Sequence, residues 1–160
     1  MQKYVLIYLL EKLEEGTEFS ATNWPLHVTL ASNFIVDWDA TEFFIKLSDL
    51  LTSQKPIETT ANTEEYFGPK KQVKVTILDM TPALMTLHTD IIALLKSVGA
   101  TFDEPHYLEA GFRAHATVQP HACLHKADHV TINELTIVDM FPHGDINQRK
   151  LLQTIKFSGQ

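Results

Sequence analysis

The chain reads Trp24-Pro-Leu-His27-Val-Thr29-Leu-Ala31 in one place and Phe112-Arg-Ala-His115-Ala-Thr117-Val-Gln119 in another. Each stretch contains a histidine, any residue, a threonine and then an aliphatic residue. Because alternate residues of a β-strand share one face, each pattern predicts a strand that presents an imidazole beside a hydroxyl. The intervening apolar residues are then expected to point into the core; they are Val28, Leu30, Ala116 and Val118.

Two such strands facing each other suit chemistry on a phosphoester. Two imidazoles can act as general base and general acid on opposite sides of one phosphorus, while two hydroxyls bond its non-bridging oxygens. Histidine suits both tasks because its ordinary pKa of about 6.5 allows one neutral and one protonated ring near neutral pH. The pattern alone is not specific, since composition yields about one His-x-Thr by chance. A third copy is indeed present, at His129-Val-Thr131.

Two helices are predicted between the first two motifs. Asp37 or Asp39 can cap the first helix; Thr81 can cap the second, with Pro82 in its first turn and Gly99 at its end. The apolar residues recur at three- and four-residue steps: Phe43, Phe44, Leu47, Leu50 and Leu51 in the first helix, and Leu84, Leu87, Ile91, Leu94, Leu95 and Val98 in the second, with His88 bordering the core.

The remaining apolar patterns predict strands, and Gly68-Pro69-Lys70-Lys71 predicts a hairpin turn. Strands are expected at 4–10, from His27 onward, and at 57–67, 72–80, 112–119, 130–140 and 151–157. Strands outnumber helices and do not alternate with them throughout, which favours an antiparallel α+β fold over a doubly wound parallel sheet. The order of elements suggests an internal duplication of one structural unit, so we expect residues 1–160 to form one domain of two lobes.

The composition bounds the classes of protein to consider. The chain has 160 residues, 44% of them hydrophobic and 21% charged, as in a soluble globular domain. Its net charge of −7 argues against a broad basic surface for duplex nucleic acid or an anionic membrane. The apolar run at 4–10 is too short to span a bilayer. A single cysteine, Cys123, precludes an internal disulfide and favours a cytoplasmic location.

The two motifs resemble those of the two-histidine (2H) phosphoesterase superfamily, which includes 2′-5′ RNA ligase-like proteins and cyclic phosphodiesterases. His27 and His115 are separated by 115 − 27 = 88 positions, which is similar to the family's spacing, and Phe34 resembles the aromatic after its first motif. The segment 132–140 and the final 151–157 resemble its closing strands. This favours His115 over His129, which leaves too little chain after it to build the rest of a lobe.

The resemblance implies two pseudo-symmetric lobes of antiparallel sheet with helical cover. It implies a cleft in which His27 and His115 are the catalytic residues and Thr29 and Thr117 bind the substrate phosphate. The implied activity is a metal-independent hydrolysis of a cyclic phosphodiester, such as a nucleoside 2′,3′-cyclic phosphate or an RNA end, with no cofactor or metal.

Two departures from the family pattern bear on the substrate. Ala114 stands where a proline is common, and Gln119-Pro120 stands where a basic residue often follows the second motif. With few cations, a small nucleotide or short RNA end is easier to hold than a long RNA. Arg113, Lys70 and Lys71 are candidates for local positive charge. We expect a monomer that binds neither extended duplex nor membrane.

Other interpretations remain open. The same family includes 2′-5′ RNA ligases and 2′-5′ phosphodiesterases, and the fold could also serve as a non-catalytic module that binds a nucleotide or a protein. Zinc is a further alternative, because four potential ligands lie close in sequence. They are His121, Cys123, His125 and His129. Among the nearby aromatic residues, Tyr107, His106 and Phe112 could contact a base, whereas Trp24 and Phe34 are expected to be core residues.

Overall fold

The computed structural model describes residues 2–36 and 40–159. These residues contain ten strands, two α-helices and a few short 3-10 turns. The strands are β1 (Lys3–Leu9), β2 (Glu18–Ser20), β3 (His27–Ile35), β4 (Ile57–Phe67), β5 (Val73–Leu78), β6 (Thr101–Phe102), β7 (His115–Thr117), β8 (His129–Ile132), β9 (Glu134–Asp139) and β10 (Gln148–Lys156), and the helices are α1 (Ala40–Thr52) and α2 (Pro82–Ser97).

The strands form one antiparallel path in the order β2-β10-β9-β1-β3-β7-β5-β4-β8, with β6 added beside the far end of β3. This path is open, with β2 and β8 at its two ends. The two halves meet at β3 and β7, which pair through Val28 and Ala116. The antiparallel α+β architecture with helical cover is therefore confirmed, and the two histidine motifs form the junction between its halves.

The sheet is buried on both faces near its middle. Along β1, the side chains of Tyr4, Leu6 and Tyr8 face the main core with the helices, whereas Val5, Ile7 and Leu9 join a smaller cluster on the opposite face. Thr29 pairs with Ile7, and His27 pairs with Leu9. The motif side chains therefore share the face of the smaller cluster, away from the helices.

Helix α2 begins and ends as its sequence predicts. The Leu84 N–H donates to the Thr81 hydroxyl at 3.2 Å, Pro82 lies in the first turn, and Gly99 follows the helix with φ +82°. His88 and Ile92 are fully buried with the predicted stripe, whereas Leu94 and Val98 are only partly buried. The predicted caps of α1, Asp37 and Asp39, lie outside the described residues.

His88 of α2 forms hydrogen bonds both to β3, which carries the first motif, and to the segment before the second motif. Its Nδ1–H donates to the Leu30 carbonyl at 2.7 Å, and its Nε2 accepts the Glu109 N–H at 2.9 Å. Its ring stacks on Phe112 with centroids 3.8 Å apart and planes inclined by 4°. The prediction that His88 only borders the core is therefore wrong. Its side chain is central, and because it uses one nitrogen as donor and the other as acceptor, it is neutral.

Two of the predicted strands differ clearly from the observed ones. The second motif strand covers only His115–Thr117 of the predicted 112–119, because 3-10 turns precede it and a turn at 119–122 follows it. The predicted strand at 130–140 is two strands that separate at Asn133, β8 pairing with β4 and β9 with β1 and β10. Val118, which was expected to point into the core, is only half-buried.

None of the described helices is long and apolar enough to cross a membrane.

Candidate active site

The pairing of β3 with β7 brings the two motifs together. Val28 lies opposite Ala116. Extending this antiparallel register by one residue in each direction sets His27 opposite Thr117 and Thr29 opposite His115. The two histidines are diagonal neighbours on one face, a relationship that places Cβ atoms roughly 7–8 Å apart or somewhat closer. A phosphoryl group fits between rings at that separation.

Each histidine is oriented by its own strand. The His27 Nδ1–H donates to the Pro25 carbonyl at 2.8 Å, and the His115 Nδ1–H donates to the Arg113 carbonyl at 2.7 Å. A carbonyl only accepts hydrogen bonds, so Nδ1 carries the proton in both rings. In each neutral ring Nε2 therefore has a lone pair, and within the described residues it has no hydrogen-bond partner.

Aromatic side chains flank both histidines. The Trp24 ring lies 4.9 Å from the His27 ring, centroid to centroid, and the Phe67 ring lies 4.8 Å from the His115 ring. The Arg149 guanidinium lies 5.8 Å from the centroid of the Trp24 ring. The expectation that Trp24 is a core residue is therefore incomplete, since it is half-buried and lines the site.

The surroundings favour the neutral form of both rings. Burial is the largest effect and lowers the pKa of His27, and the nearby His115 lowers it further. Burial also lowers the pKa of His115, with a smaller contribution from the positive charge of Arg113. The carbonyls that accept from Nδ1 oppose both shifts. Both shifts favour the neutral ring, whose Nε2 can accept a proton.

A cleft of about 500 Å³ opens over the two motifs. Its walls include His27, Thr29 and His115, whereas Thr117 is half-buried and lies at the edge of this group rather than in the lining. The lining also includes Gly68, Lys71 and Val73 of the β4–β5 hairpin, and Tyr107 from the segment after β6. Three of the four predicted site residues therefore face one cavity.

The predicted cations differ in what they can offer a substrate. Arg113 lines the cleft, but its guanidinium makes two hydrogen bonds to Glu65, at 3.0 Å and 2.6 Å, and lies over Phe67. Lys71 lines the cleft with no carboxylate partner in the described part of the chain. Lys70 does not line it. Lys71 is the cation available to an anionic ligand.

Glu11 is a residue near the site that the sequence analysis missed. Its Oε1 accepts the Leu26 N–H at 2.6 Å and pairs with His121 Nε2 at 2.7 Å. The Leu26 N–H, and secondly His121, hold the pKa of Glu11 below its usual range. Glu11 thereby connects the segment just before His27 to the segment that follows the second motif. Nothing in the local sequence pattern signals this contact.

The third His-x-Thr copy is part of a surface strand. His129 and Thr131 both contact the carboxylate of Glu58 on β4, and His129 is exposed. His129 therefore lies outside the cleft that His27 and His115 line. The zinc alternative finds no support among the described residues, where no three potential ligands converge on one point.

Comparisons with known proteins agree with the fold. The family model of the 2′-5′ RNA ligase superfamily matches residues 9–138. No curated protein sequence matches the chain. Among solved structures, Escherichia coli LigT complexed with 3′-AMP is similar at 18% identity and a TM-score of 0.59, with 98% of each chain covered.

Two further solved structures share the architecture along the whole chain. A crystal structure described as a phosphoesterase has 15% identity and a TM-score of 0.58, with 99% of each chain covered. TT0787 of Thermus thermophilus has 15% identity and a TM-score of 0.57, with 100% of each chain covered. At this identity the likeness shows the fold alone, while the family model covers most of the chain. The chain belongs to the 2′-5′ RNA ligase superfamily, the two-histidine phosphoesterases.

Proposed function

We propose that this protein is a metal-independent phosphoesterase that hydrolyses a cyclic phosphodiester, a nucleoside 2′,3′-cyclic phosphate or an RNA end that carries one. The single observation that supports this most is the matched pair His27 and His115. Each ring donates its Nδ1–H to a carbonyl, and its Nε2 has no partner in the part of the chain that the structure describes. Such a ring can take a proton when neutral and give one when protonated, which are the two tasks that opening a cyclic phosphate requires.

The proposed reaction uses one neutral and one protonated histidine. The neutral ring removes a proton from water as the water oxygen forms a bond to phosphorus. The bond from phosphorus to one ribose oxygen breaks, and the protonated ring gives that oxygen its Nε2 proton. The product is a phosphomonoester with one ribose hydroxyl restored, and one water is consumed. Which histidine is the base depends on the orientation of the substrate.

Thr29 and Thr117 are proposed to hold the phosphoryl oxygens. Their hydroxyls share the histidine face of β3 and β7, and Thr29 lines the cleft. Donors aimed at oxygens that gain charge lower the barrier because they are already in place when the charge develops. Lys71 supplies a positive charge at the same cavity. E. coli LigT, a protein of this fold, has been solved with phosphate and with 3′-AMP.

A second candidate function is hydrolysis or joining of 2′-5′ phosphodiester linkages in RNA. The match to the 2′-5′ RNA ligase superfamily favours considering it, and the same two histidines would serve. Long RNA, however, needs a track of cations along the backbone. The net charge is −7, and Arg113 is already paired with Glu65 at the cleft. We therefore favour the small cyclic phosphate.

The proposal is tested by incubating the wild-type protein with nucleoside 2′,3′-cyclic phosphates in EDTA and identifying the products by phosphorus NMR. We expect conversion to a single phosphomonoester at a rate that EDTA does not change. A 2′-5′-linked dinucleotide serves as the competing substrate. Faster cleavage of the dinucleotide would support the second candidate, and loss of turnover in EDTA would contradict a metal-independent reaction. Binding without any turnover would point to a non-catalytic module.

A further inference from the structure

The two ends of the cleft differ in charge. Lys71 of the β4–β5 hairpin lines one end, beyond His27 and Thr117, because Val75 of β5 pairs with Thr117. Glu104 lines the opposite end, beyond Thr29 and His115, because it follows β6, which pairs with the far part of β3. A phosphate is attracted to the first end and repelled by the second. A nucleotide whose phosphate lies between the histidines therefore extends its uncharged part, the base, toward Glu104.

The pairing of β6 with β3 fixes where Glu104 lies. Phe102 pairs with Phe34, and the Asp103 N–H donates to the Asn33 carbonyl at 3.2 Å. Continued by one more residue, this register sets Glu104 beside Ser32. Ser32 is three residues beyond Thr29 on β3, which is no more than about 10 Å of extended chain. That separation suits a base joined through its sugar to a phosphate at Thr29.

This end of the cleft holds polar groups that no other part of the described chain satisfies. The Ser32 hydroxyl is buried and has no hydrogen-bond partner among the described residues. Asn33 and Glu104 also line the cleft, and no described residue pairs with the Glu104 carboxylate. A buried hydroxyl without a partner costs free energy, and because Ser32 lines the cleft, rotation of its side chain brings this hydroxyl to a ligand group there.

An aromatic wall accompanies these polar groups. Tyr107 lines the same end of the cleft and is 39% exposed, which leaves area for a flat ring to cover. Phe112 also lines it and is held rigidly by its stack on His88. Base rings stack on aromatic side chains regardless of sequence, whereas hydrogen bonds at the base edge distinguish one base from another. The site thus has both a stacking surface and a polar edge.

We propose that Glu104, with Ser32, makes this end of the cleft a base-recognition subsite that prefers guanine. Guanine presents two parallel N–H donors, N1–H and the N2 amino group, to which the two oxygens of one carboxylate are matched. Its O6 lies next to them and can accept a hydrogen bond from the Ser32 hydroxyl. Adenine and cytosine present a donor beside an acceptor, and uracil a donor between two acceptors, so each leaves one carboxylate oxygen facing an acceptor.

The inference rests on the proposed function, so its test has a readout that does not need turnover. Calorimetric titration with guanosine, adenosine, cytidine and uridine 3′-monophosphates measures base preference by binding alone. We expect wild-type protein to bind the guanosine nucleotide roughly 10- to 100-fold more tightly, the range for a good bidentate pair. The same ratio is expected in kcat/KM for the four 2′,3′-cyclic phosphates.

Three variants separate this subsite from general effects. Glu104→Ala should bring the four affinities to within about threefold of one another. Glu104→Gln replaces one acceptor by a donor, so the preference should shift toward adenine or cytosine, to which an amide is matched. Glu58→Gln is the matched control, because Glu58 is an exposed carboxylate on β4 that contacts His129 and Thr131 and does not line the cleft. It should keep the guanine preference.

Equal binding of all four nucleotides by the wild type, binding of none of them, or a guanine preference that survives in Glu104→Ala would overturn the inference. If the wild-type protein binds the guanosine nucleotide selectively but does not hydrolyse any cyclic phosphate, the result would support the subsite and contradict the proposed reaction.

Discussion

His27 and His115 are held by the same bond on adjacent antiparallel strands. Each donates its Nδ1–H to the carbonyl two residues earlier, that of Pro25 at 2.8 Å and that of Arg113 at 2.7 Å. Because each bond is local, each ring is oriented by its own strand and not by the neighbouring one. The pairing of Val28 with Ala116 then brings the two free Nε2 atoms to one cleft. Both rings can therefore act on a single bound group.

The pH dependence of kcat/KM follows from the lowered pKa values. The proposed reaction needs one neutral and one protonated histidine, and that form of the pair is most abundant between its two apparent pKa values. Burial lowers the pKa of both rings below 6.5. The profile should therefore be bell-shaped with a maximum below pH 6.5. A pH–rate series of kcat/KM checks this, and a maximum above pH 7 would contradict it.

Arg113→Gln should move that maximum upward. The guanidinium charge lowers the pKa of His115, so its removal makes protonation of that ring easier. Lys70→Gln is the control, since it removes one positive charge from outside the cleft lining. The two pH profiles should differ, with only Arg113→Gln shifted toward higher pH. Identical shifts in both variants would show that the overall charge, and not Arg113, governs the profile.

The threonine hydroxyls should contribute to the rate and little to the fold. Thr29→Val and Thr117→Val keep the branched shape of the side chain and remove a donor, so each should lower kcat by about 10²-fold, the typical loss for one donor to a developing oxyanion. Steady-state kinetics with thermal unfolding as a check measures both effects. Thr131→Val is the control on the third motif. A kcat within twofold of wild type in Thr29→Val would exclude its phosphate role.

Glu11 is expected to be a positioning residue. Its carboxylate holds the Leu26 N–H, and Leu26 follows the carbonyl of Pro25 that orients His27. Glu11→Ala should lower kcat about 10-fold with a smaller effect on KM, because displacing a catalytic ring costs rate more than binding. Glu11→Gln, whose amide oxygen can still accept from Leu26, should recover most of the loss.

His121→Ala serves as the control for Glu11, because it removes only the other partner of that carboxylate. The contact with His121 is exposed and the Leu26 bond does not depend on it, so its loss should leave kcat nearly unchanged. Equal losses in Glu11→Ala and Glu11→Gln would show that the negative charge matters and the Leu26 bond does not.

His88 should make the free energy of unfolding depend on pH. It is buried, and burial lowers its pKa in the folded protein. The unfolded chain therefore binds more protons below about pH 6.5, and stability falls as the pH drops from there toward the lowered pKa. His88→Phe keeps a ring on Phe112 but leaves the Leu30 carbonyl and the Glu109 N–H without their partner. It should cost about 1–3 kcal/mol at pH 7.5.

Denaturant unfolding of wild type and His88→Phe at pH 5.5 and 7.5 measures this. The difference between the two proteins should be smaller at pH 5.5, where the wild type has lost part of the contribution of neutral His88. A difference that grows on acidification would contradict the assignment of a neutral ring.

The local sequence pattern predicted those features of the site that depend on residues within a single strand or helix. Alternation alone placed His27 and Thr29 on one face, and the capping residues of α2 were evident because Thr81 and Gly99 act within a turn of the helix ends. The split at Asn133 left a local signal that the sequence analysis missed, because the apolar residues Val130 and Ile132 are followed by Leu135 and Ile137, one residue out of phase. The change of strand partners at this point depends on distant pairing. Contacts such as Glu11 with Leu26 and His121 depend on the register of distant strands.

The central claim is that His27 and His115 form one acid–base pair, and single substitutions test it most directly. Hydrolysis of nucleoside 2′,3′-cyclic phosphates should be measured in EDTA for wild type, His27→Ala, His115→Ala and His129→Ala. We expect losses of about 10²- to 10⁴-fold in the first two variants, the worth of a positioned acid or base, and wild-type rates in His129→Ala. Full activity in His27→Ala, or a loss confined to His129→Ala, would contradict the claim.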